Sequence, residues 1–290
     1  MSTCIRALIL LLTLATITLP STASPTYPWA GHASDETHPL SAARPTPSGF
    51  VRVSVLTGSL EEWLRHLPMR AGPPVVHSYD GRELLAPAAH VLAMDVGTRD
   101  LQQCADSAIR LLSEFAWARG DTDRLGWHFT SGDRTGWSDW VAGERFVIGG
   151  DVERRAGPQR SSDHESFRSW LDLVFTYAGT RSLAREGEAV GRRVIRGGDV
   201  FVAAGSPGHA VLVLDVAVND EGQRIALLGQ GFMPAQEFHV LKSDRGQSPV
   251  IEGTWFLLPV KDTDLLDTPS WRPFTRNDAR RLVPWLSTDE

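Results

Sequence analysis

Residues 209–230 constrain the fold more than any other part of the sequence, because they contain two apolar runs joined by a short polar turn. The runs read "HAVLVLDVAV" and "RIALLGQGF", and the residues between them include Asn219, Asp220 and Gly222. Residues of these types favour hairpin turns between antiparallel strands. A turn centred between Asp220 and Glu221 places Val211 opposite Gln230. With the preceding run "DVFVAAG", the pattern predicts an antiparallel sheet.

Helical patterns accompany these strands and predict an α+β fold. The clearest helix covers 101–119, where apolar residues recur every three or four positions along one face and Gly120 follows as a C-terminal cap. Asp100, with Gln103, is the expected cap at its start. Residues 164–183 predict a second long helix, and a short one follows Ser59. Further strands are expected at 50–56 and 90–97.

The N-terminus has the three parts of a secretory signal: Arg6, an apolar run over 7–19, and then small residues. We predict a signal peptide over 1–23, cleaved before Ser24. An uncleaved anchor is the alternative, although the run is short for a membrane-spanning helix. Residues 24–48 are rich in proline, serine and threonine and predict a flexible lead-in, followed by a single domain over 49–290. Exported in this way, the mature protein is expected in the periplasm or outside the cell, without stable membrane insertion.

Composition narrows the classes of partner. The chain has 29 basic and 35 acidic residues and a net charge of −6. The two signs are interspersed, which argues against a nucleic-acid partner and favours a peptide, a glycan or a small molecule. The sequence has no metal-binding motif of the HExxH or CxxC type and no glycine-rich phosphate loop. We therefore expect neither a metal nor another cofactor.

His209 is the first candidate for a chemical role. It stands after a glycine and proline turn and before an apolar strand. Side chains alternate between the two faces of a strand, so His209, Val211, Val213 and Asp215 would lie on one face. Gln230 is the nearest polar residue in the predicted hairpin, and its amide could hold the imidazole in one tautomer. A buried structural histidine and ordinary packing of Gln230 remain alternatives, and His128 is a rival base.

Cys104 is the second candidate, since cleavage of the signal would leave it as the one cysteine of the mature chain. It lies near the start of the 101–119 helix, where the helix dipole favours a thiolate and lowers the thiol pKa. It also borders the apolar face, where a cysteine commonly packs as a small hydrophobe. Gln102, Gln103 and Asp100 are candidates to donate to an oxyanion or to orient the site. If the helix began as late as Gln102, the Cys104 N–H would also be available.

The order of these residues resembles that of a known enzyme group. In papain-like NlpC/P60 and CHAP cell-wall hydrolases, a cysteine begins a helix and a histidine begins a later strand. Here Gln103-Cys104, "GDVFV" and "GHAV" resemble those short motifs. The resemblance implies a papain-like core over about 90–232. Longer segments, including "DVGTRDLQQCADSAIRL", "GSPGHAVLVLD" and "QGFMPAQEFHVL", resemble an exported bacterial family, domain of unknown function 4846, which implies no activity.

Two functions follow as expectations. The first is a cell-envelope cysteine hydrolase that cleaves an amide bond, as a peptidase or amidase. Cys104 would be its nucleophile, His209 its base and Gln230 the residue that orients the base. The second is a non-catalytic exported module that binds glycan or peptide on the same scaffold. In either case the expected partner is a peptide or a cell-wall fragment.

Overall fold

A computed structural model describes residues 25–29, 36–148, 152–243 and 250–282. The expected signal segment, 1–23, lies outside these ranges. The helices are α1 (Leu40–Ala43), α2 (Leu60–Arg65), α3 (Cys104–Arg119), α4 (Trp137–Ala142), α5 (His164–Tyr177) and α6 (Thr180–Glu186). The strands are β1 (Thr37–Pro39), β2 (Phe50–Arg52), β3 (Pro68–Arg70), β4 (Val76–His77), β5 (Glu83–Leu84), β6 (Ala88–Val91), β7 (Gly126–His128), β8 (Arg134–Gly136), β9 (Glu144–Ile148), β10 (Val152–Ala156), β11 (Glu188–Ala189), β12 (Asp199–Ala203), β13 (His209–Asn219), β14 (Arg224–Gln230), β15 (His239–Leu241), β16 (Val250–Ile251), β17 (Trp255–Leu257), β18 (Leu265–Leu266), β19 (Phe274–Thr275) and β20 (Ala279–Arg281). None of the helices in these ranges is long and apolar enough to cross a bilayer.

Ten of the described strands form one sheet around β13. The hydrogen-bonded order is β11, β20, β12, β13, β14, β15 and β6; in addition, β2 pairs with β13, β17 with β14, and β16 with β17. All of these pairs are antiparallel. The predicted α+β class, an antiparallel sheet packed with helices, is therefore confirmed.

The long strand β13 is buried on both faces and separates two apolar cores. Ala210, Leu212 and Leu214 pack with α3 in the helix-side core. Val211 and Val213 pack on the other face in the far-side core, together with Phe201, Leu228, Phe256 and Phe274. This alternation follows from the two-residue repeat of a strand. It decides on which side of the sheet each candidate side chain lies.

The predicted hairpin is present, with its turn at the expected residues. The N–H of Asn219 donates to the carbonyl of Gln223, and the N–H of Gly222 donates to the carbonyl of Asn219. The pairing begins as Val218 opposite Arg224, and one extra residue in β13 then shifts it by one, to Leu212 opposite Gly229. Continued by one step, the shifted register sets Val211 beside Gln230, as predicted.

The extra residue also corrects one expectation. Asp215 does not share a face with His209, because the irregularity between Val213 and Asp215 interrupts the alternation of the strand. Its buried carboxylate instead accepts hydrogen bonds from Arg52 of β2 at 2.6 Å and from Arg65 of α2 at 2.9 Å. These partners hold the acid on the side of the sheet that carries α2.

Two helix predictions change in their boundaries. Helix α3 begins at Cys104 rather than Leu101, and Gln103 rather than Asp100 is its N-terminal cap. Its predicted end is confirmed, since Gly120 adopts a left-handed conformation with φ of 73°. The helix expected over 164–183 is divided into α5 and α6 by the residues around Gly179.

The flexible lead-in expected over 24–48 is corrected for part of its length. Residues 37–39 form β1, which pairs with β3, and α1 follows directly. The Leu40 side chain is fully buried, and Trp29 packs edge-on against Trp63 of α2 at 5.7 Å between ring centroids. Isolated apolar residues without a periodic pattern gave no local signal for this packing, which depends on contacts with α2 and β3.

Candidate active site

His209 and Gln230 lie at the ends of neighbouring strands. His209 is the first residue of β13, and Gln230 is the last residue of β14. The Nε2 atom of His209 is 2.8 Å from the Oε1 atom of Gln230, a normal hydrogen-bond distance. The predicted contact between the two side chains is confirmed. With an amide oxygen in this position, Nε2 donates the hydrogen and Nδ1 is left with a lone pair.

The His209 ring is enclosed by aromatic side chains. The ring centroids of Phe232, Trp271 and Phe274 lie 5.1, 5.3 and 6.1 Å from it. The side chain has no exposed surface. This burial penalises the charged form and lowers the pKa of His209 to about 4, so that the imidazole is neutral at pH 7. Its Nδ1 atom has no hydrogen-bond partner among the described residues.

Gln230 has two further partners that sequence reasoning missed. Its Nε2 atom donates to Ser270 Oγ at 3.0 Å and lies 3.5 Å from Nε2 of His239. His239 begins β15, opposite Gln230 in the register of the sheet, and is fully buried. Burial also lowers the pKa of His239 to about 4. In the sequence, His239 is distinguished only by its place in "QGFMPAQEFHVL", one of the segments that resemble the family of domain of unknown function 4846.

The Cys104 thiol lies against the backbone on either side of His209. The Sγ atom is 3.9 Å from the carbonyl oxygen of Gly208, and the N–H of Ala210 donates toward the sulfur. The residue is 5 % exposed. At the other flank of the helix start, Gly231 packs so closely that an added Cβ would lie 2.3 Å from Ser107 Oγ. The first turn of α3 thus contacts β13 and the residue that follows β14.

The Cys104 sulfur lies beside the backbone that flanks His209, but it is not hydrogen-bonded to the imidazole ring. Nδ1 of His209 makes no hydrogen bond to Cys104 or to another described atom. The His209 ring packs with Phe274 of the far-side core, whereas Ala210, which binds the sulfur, belongs to the helix-side core. The structure therefore brings Cys104 to the backbone around His209, with the ring directed to the other face of the sheet.

The expectation that the helix dipole lowers the pKa of Cys104 is wrong. Burial raises the pKa of this thiol to about 11, and the nearby Asp106 carboxylate acts in the same direction. The N–H groups of the helix start oppose the shift but do not offset the loss of solvent. Burial also raises the pKa of Asp106, to about 8. Burial thus outweighs the helix start and favours a neutral thiol.

The three candidates for orienting or oxyanion roles have different contacts. Gln103 caps α3, and its Nε2 atom donates to Asp100 Oδ1 at 3.1 Å. Asp100 also accepts from the N–H of Ala235 at 2.7 Å. Gln102 is buried, and its Oε1 atom accepts from Arg110 at 2.8 Å, while its Nε2 atom has no partner among the described residues. Gln102 is therefore the candidate with an uncommitted donor.

His128, the rival base, lies elsewhere. Its Nδ1 atom is 2.8 Å from a carboxylate oxygen of Glu186, and the side chain is 43 % exposed. It belongs to the two-stranded β7–β8 sheet rather than to the ten-stranded one. Its contact with Glu186 indicates a structural hydrogen bond near the surface.

A cleft of about 1010 Å³ adjoins the Gln230 side of the site. Its lining includes Gln230 together with Leu85, Phe232, Met233, Lys242 and Trp271. Two of these residues, Phe232 and Trp271, also contact the His209 ring, so the ring lies directly beneath the cleft wall. Nε1 of Trp271 and Oγ1 of Thr268 are buried polar atoms of the lining without a described partner.

A family model described as "Domain of unknown function (4846)" matches residues 40–281. The chain belongs to this family. The region that matches domain of unknown function 4846 begins with α1 and ends with β20, and it includes Cys104, His209, Gln230 and His239. No curated protein and no solved structure matches the chain.

Proposed function

We propose that the protein is a cell-envelope hydrolase that cleaves an amide bond by nucleophilic attack of Cys104, on a papain-like core. The observation that carries the proposal is the hydrogen bond from His209 Nε2 to Gln230. This bond leaves Nδ1 as the basic nitrogen of His209. The residues on either side, Gly208 and Ala210, both contact the Cys104 sulfur through their backbones. A nucleophile, a base and a residue that orients the base are the elements of such a site.

In the proposed reaction, His209 Nδ1 takes the proton of the Cys104 thiol while the sulfur bonds to the substrate carbonyl carbon. The imidazolium then returns this proton to the leaving nitrogen, and the C–N bond breaks to give a thioester. Water, deprotonated by the same nitrogen, hydrolyses the thioester and restores the thiol. The raised thiol pKa and the lowered imidazole pKa favour a neutral resting pair, so His209 acts as a general base during attack.

Two further donors support the proposal. Cys104 is the first residue of α3, so its N–H has no acceptor within the helix. Gln102 offers the uncommitted Nε2 donor described above. Both are candidates to bind the oxygen that becomes negative when the sulfur attacks, which is a large contribution in enzymes of this kind. Asp100 and Gln103 would hold the loop that presents them.

The proposed substrate is a peptide or a peptide-bearing cell-wall fragment. The cleft beside Gln230 combines apolar side chains, including the exposed Leu85, with the charged end of Lys242 and the amide of Gln230. Apolar contacts with a few directed polar groups suit a peptide. Catalysis also requires a rearrangement on substrate binding that turns the His209 ring toward the helix side of the sheet. In the structure the ring packs with Phe274 of the far-side core, and neither it nor Cys104 lines the cleft.

A non-catalytic module that binds glycan or peptide is the second candidate. The observations that favour it are the burial of the thiol, its raised pKa and the absence of a bond between Cys104 and His209. A cysteine in such surroundings commonly serves as a small apolar residue. In that case the cleft lined by Phe232 and Trp271 would be the functional surface.

Iodoacetamide labelling of Cys104 between pH 6 and pH 11 distinguishes the two. If His209 is the base, the labelling rate at pH 7 to 8 should fall by roughly tenfold in His209→Gln, because the glutamine cannot accept the thiol proton in the same way. His128→Gln is the matched control and should label like the parent. Equal rates in the parent and in His209→Gln, rising in both only as the pH approaches 11, would support the binding module instead.

We also propose that the protein is exported and acts in the periplasm or outside the cell. The three-part segment over 1–23 supports this proposal. Mass spectrometry of the protein recovered from the periplasm or medium of an expressing bacterium should give a chain that begins at Ser24. A chain that retains 1–23, recovered with the membrane fraction, would contradict the proposal.

A further inference from the structure

We propose that His239 is a positioning residue that sets the tautomer of His209 through the amide of Gln230. This inference rests on the proposed function for its catalytic meaning, but the hydrogen-bond arrangement itself is independent of it. The three side chains form a buried row. The Gln230 amide lies between the two rings, with Oε1 at 2.8 Å from His209 Nε2 and Nε2 at 3.5 Å from His239 Nε2.

His239 stands at one end of the row, where the backbone fixes its protonation. Nδ1 of His239 is 3.1 Å from the backbone carbonyl oxygen of Glu237. A carbonyl oxygen accepts hydrogen bonds and cannot donate one, so Nδ1 of His239 carries the hydrogen. The ring is fully buried and neutral, so its Nε2 atom has a lone pair and no hydrogen. It can only accept.

The acceptor on His239 decides which way the Gln230 amide is turned. If the amide NH2 faces His239, a hydrogen points at the lone pair; if the amide oxygen faces His239, two acceptors meet in a buried site, which is unfavourable. The amide oxygen is thereby directed to His209. Ser270, the other partner of the amide at 3.0 Å, has a hydroxyl that can donate or accept, so it fits either orientation and selects neither.

The orientation of the amide then decides the state of His209. An amide oxygen at 2.8 Å requires a hydrogen on His209 Nε2, and a neutral ring has only one. Nδ1 consequently keeps the lone pair that the proposed base needs. With the amide reversed, Nε2 would be the acceptor, Nδ1 would carry the hydrogen, and the ring could not take a proton from the thiol. His239 acts on catalysis only through Gln230 and never touches the substrate.

NMR of protein with ¹⁵N-labelled histidine tests this inference without any substrate. Long-range ¹H–¹⁵N correlations show which ring nitrogen carries the hydrogen, and the signals of His209 are identified by their loss in His209→Gln. We expect only the Nε2–H form of His209 in the parent. In His239→Phe, which keeps a ring but removes the acceptor, the ratio of Nε2–H to Nδ1–H forms should fall by roughly five- to tenfold.

Ser270→Ala is the matched control, because it removes the other partner of the same amide hydrogens; His209 should remain in the Nε2–H form. An Nδ1–H form in the parent would overturn the inference even if the variants do not fold. An unchanged Nε2–H form in a folded His239→Phe would also overturn it. If the tautomer shifts as expected but iodoacetamide labelling does not depend on His209, the inference about His239 stands and the proposed hydrolase fails.

Discussion

Cys104→Ser should reduce turnover of peptide-bearing cell-wall fragments by at least roughly 10³-fold, because a serine hydroxyl is much harder to deprotonate than a thiol. Turnover is measured as new amino groups released from purified fragments, separated by liquid chromatography and identified by mass spectrometry. The fold should be preserved. The new hydroxyl is slightly smaller than the thiol and can donate to the carbonyl of Gly208, which already lies beside the sulfur.

Ser113→Ala provides the matched control for this loss. Ser113 lies on the same helix, is fully buried, and its hydroxyl accepts a hydrogen bond from Trp127 Nε1 at 2.9 Å. The substitution should lower the free energy of unfolding by about 1 kcal/mol through the lost hydrogen bond while turnover is unchanged. If Cys104→Ser retains turnover with an unaltered fold, Cys104 is not the nucleophile. If no fragment is cleaved by the parent, the binding module is the better description.

The hairpin was predictable because its information is local. Turn residues at 219–222 and apolar runs on both sides fix the pairing, and the contact of His209 with Gln230 follows from that register. The extra residue near Leu214 was not predictable, because its cause is distant. Asp215 is held by Arg52 and Arg65, which are about 150 residues or more away along the chain.

The start of α3 shows the same limit. Asp100 has the right side chain for a helix cap, but in the fold it accepts hydrogen bonds from the N–H of Ala235 and from the side chain of Gln103. A contact across 135 residues leaves no trace in the local pattern. Gln103 is a poorer cap by residue type and takes the position once Asp100 is engaged elsewhere. Likewise His239 and Ser270 meet Gln230 only through the pairing of distant segments.

For the pKa of Cys104, the sequence identified a real effect, the helix start, but missed a larger and opposite one, burial. A helix start stabilises a nearby negative charge by about 0.3–1 kcal/mol at exposed sites. Removing a charge from water costs several kcal/mol even after the protein relaxes. The sequence shows the position of Cys104 at a helix start but not its burial, so the smaller effect was visible and the larger one was not. The net result is a thiol pKa of about 11.

The helix that begins at Cys104 contains a buried ion pair, Arg110 with Glu114, whose guanidinium also contacts the segment before the helix. Arg110 of α3 has no exposed surface and binds Gln102 Oε1 and Asp95 Oδ2, each at 2.8 Å. Its Nε atom is 3.3 Å from Glu114, which is itself fully buried and also accepts from His164 at 2.8 Å. The guanidinium therefore ties the segment before α3 to the helix and compensates a buried carboxylate.

Arg110→Met should lower the free energy of unfolding by about 3–5 kcal/mol, since it leaves the Glu114 carboxylate buried without its guanidinium. Urea unfolding at pH 7 measures the change.

In the double variant Arg110→Met with Glu114→Leu, much of the loss should be recovered, because two apolar side chains replace the pair and no unpaired charge remains. Arg155→Met is the control: its ion pair with Glu153 is 62 % exposed on both sides, and its loss should cost less than about 1 kcal/mol. Equal effects of Arg110→Met and Arg155→Met would show that the buried ion pair does not stabilise the fold. If the expected loss is found, faster iodoacetamide labelling of Cys104 in Arg110→Met should accompany it, because Gln102 has then lost the contact that holds the loop.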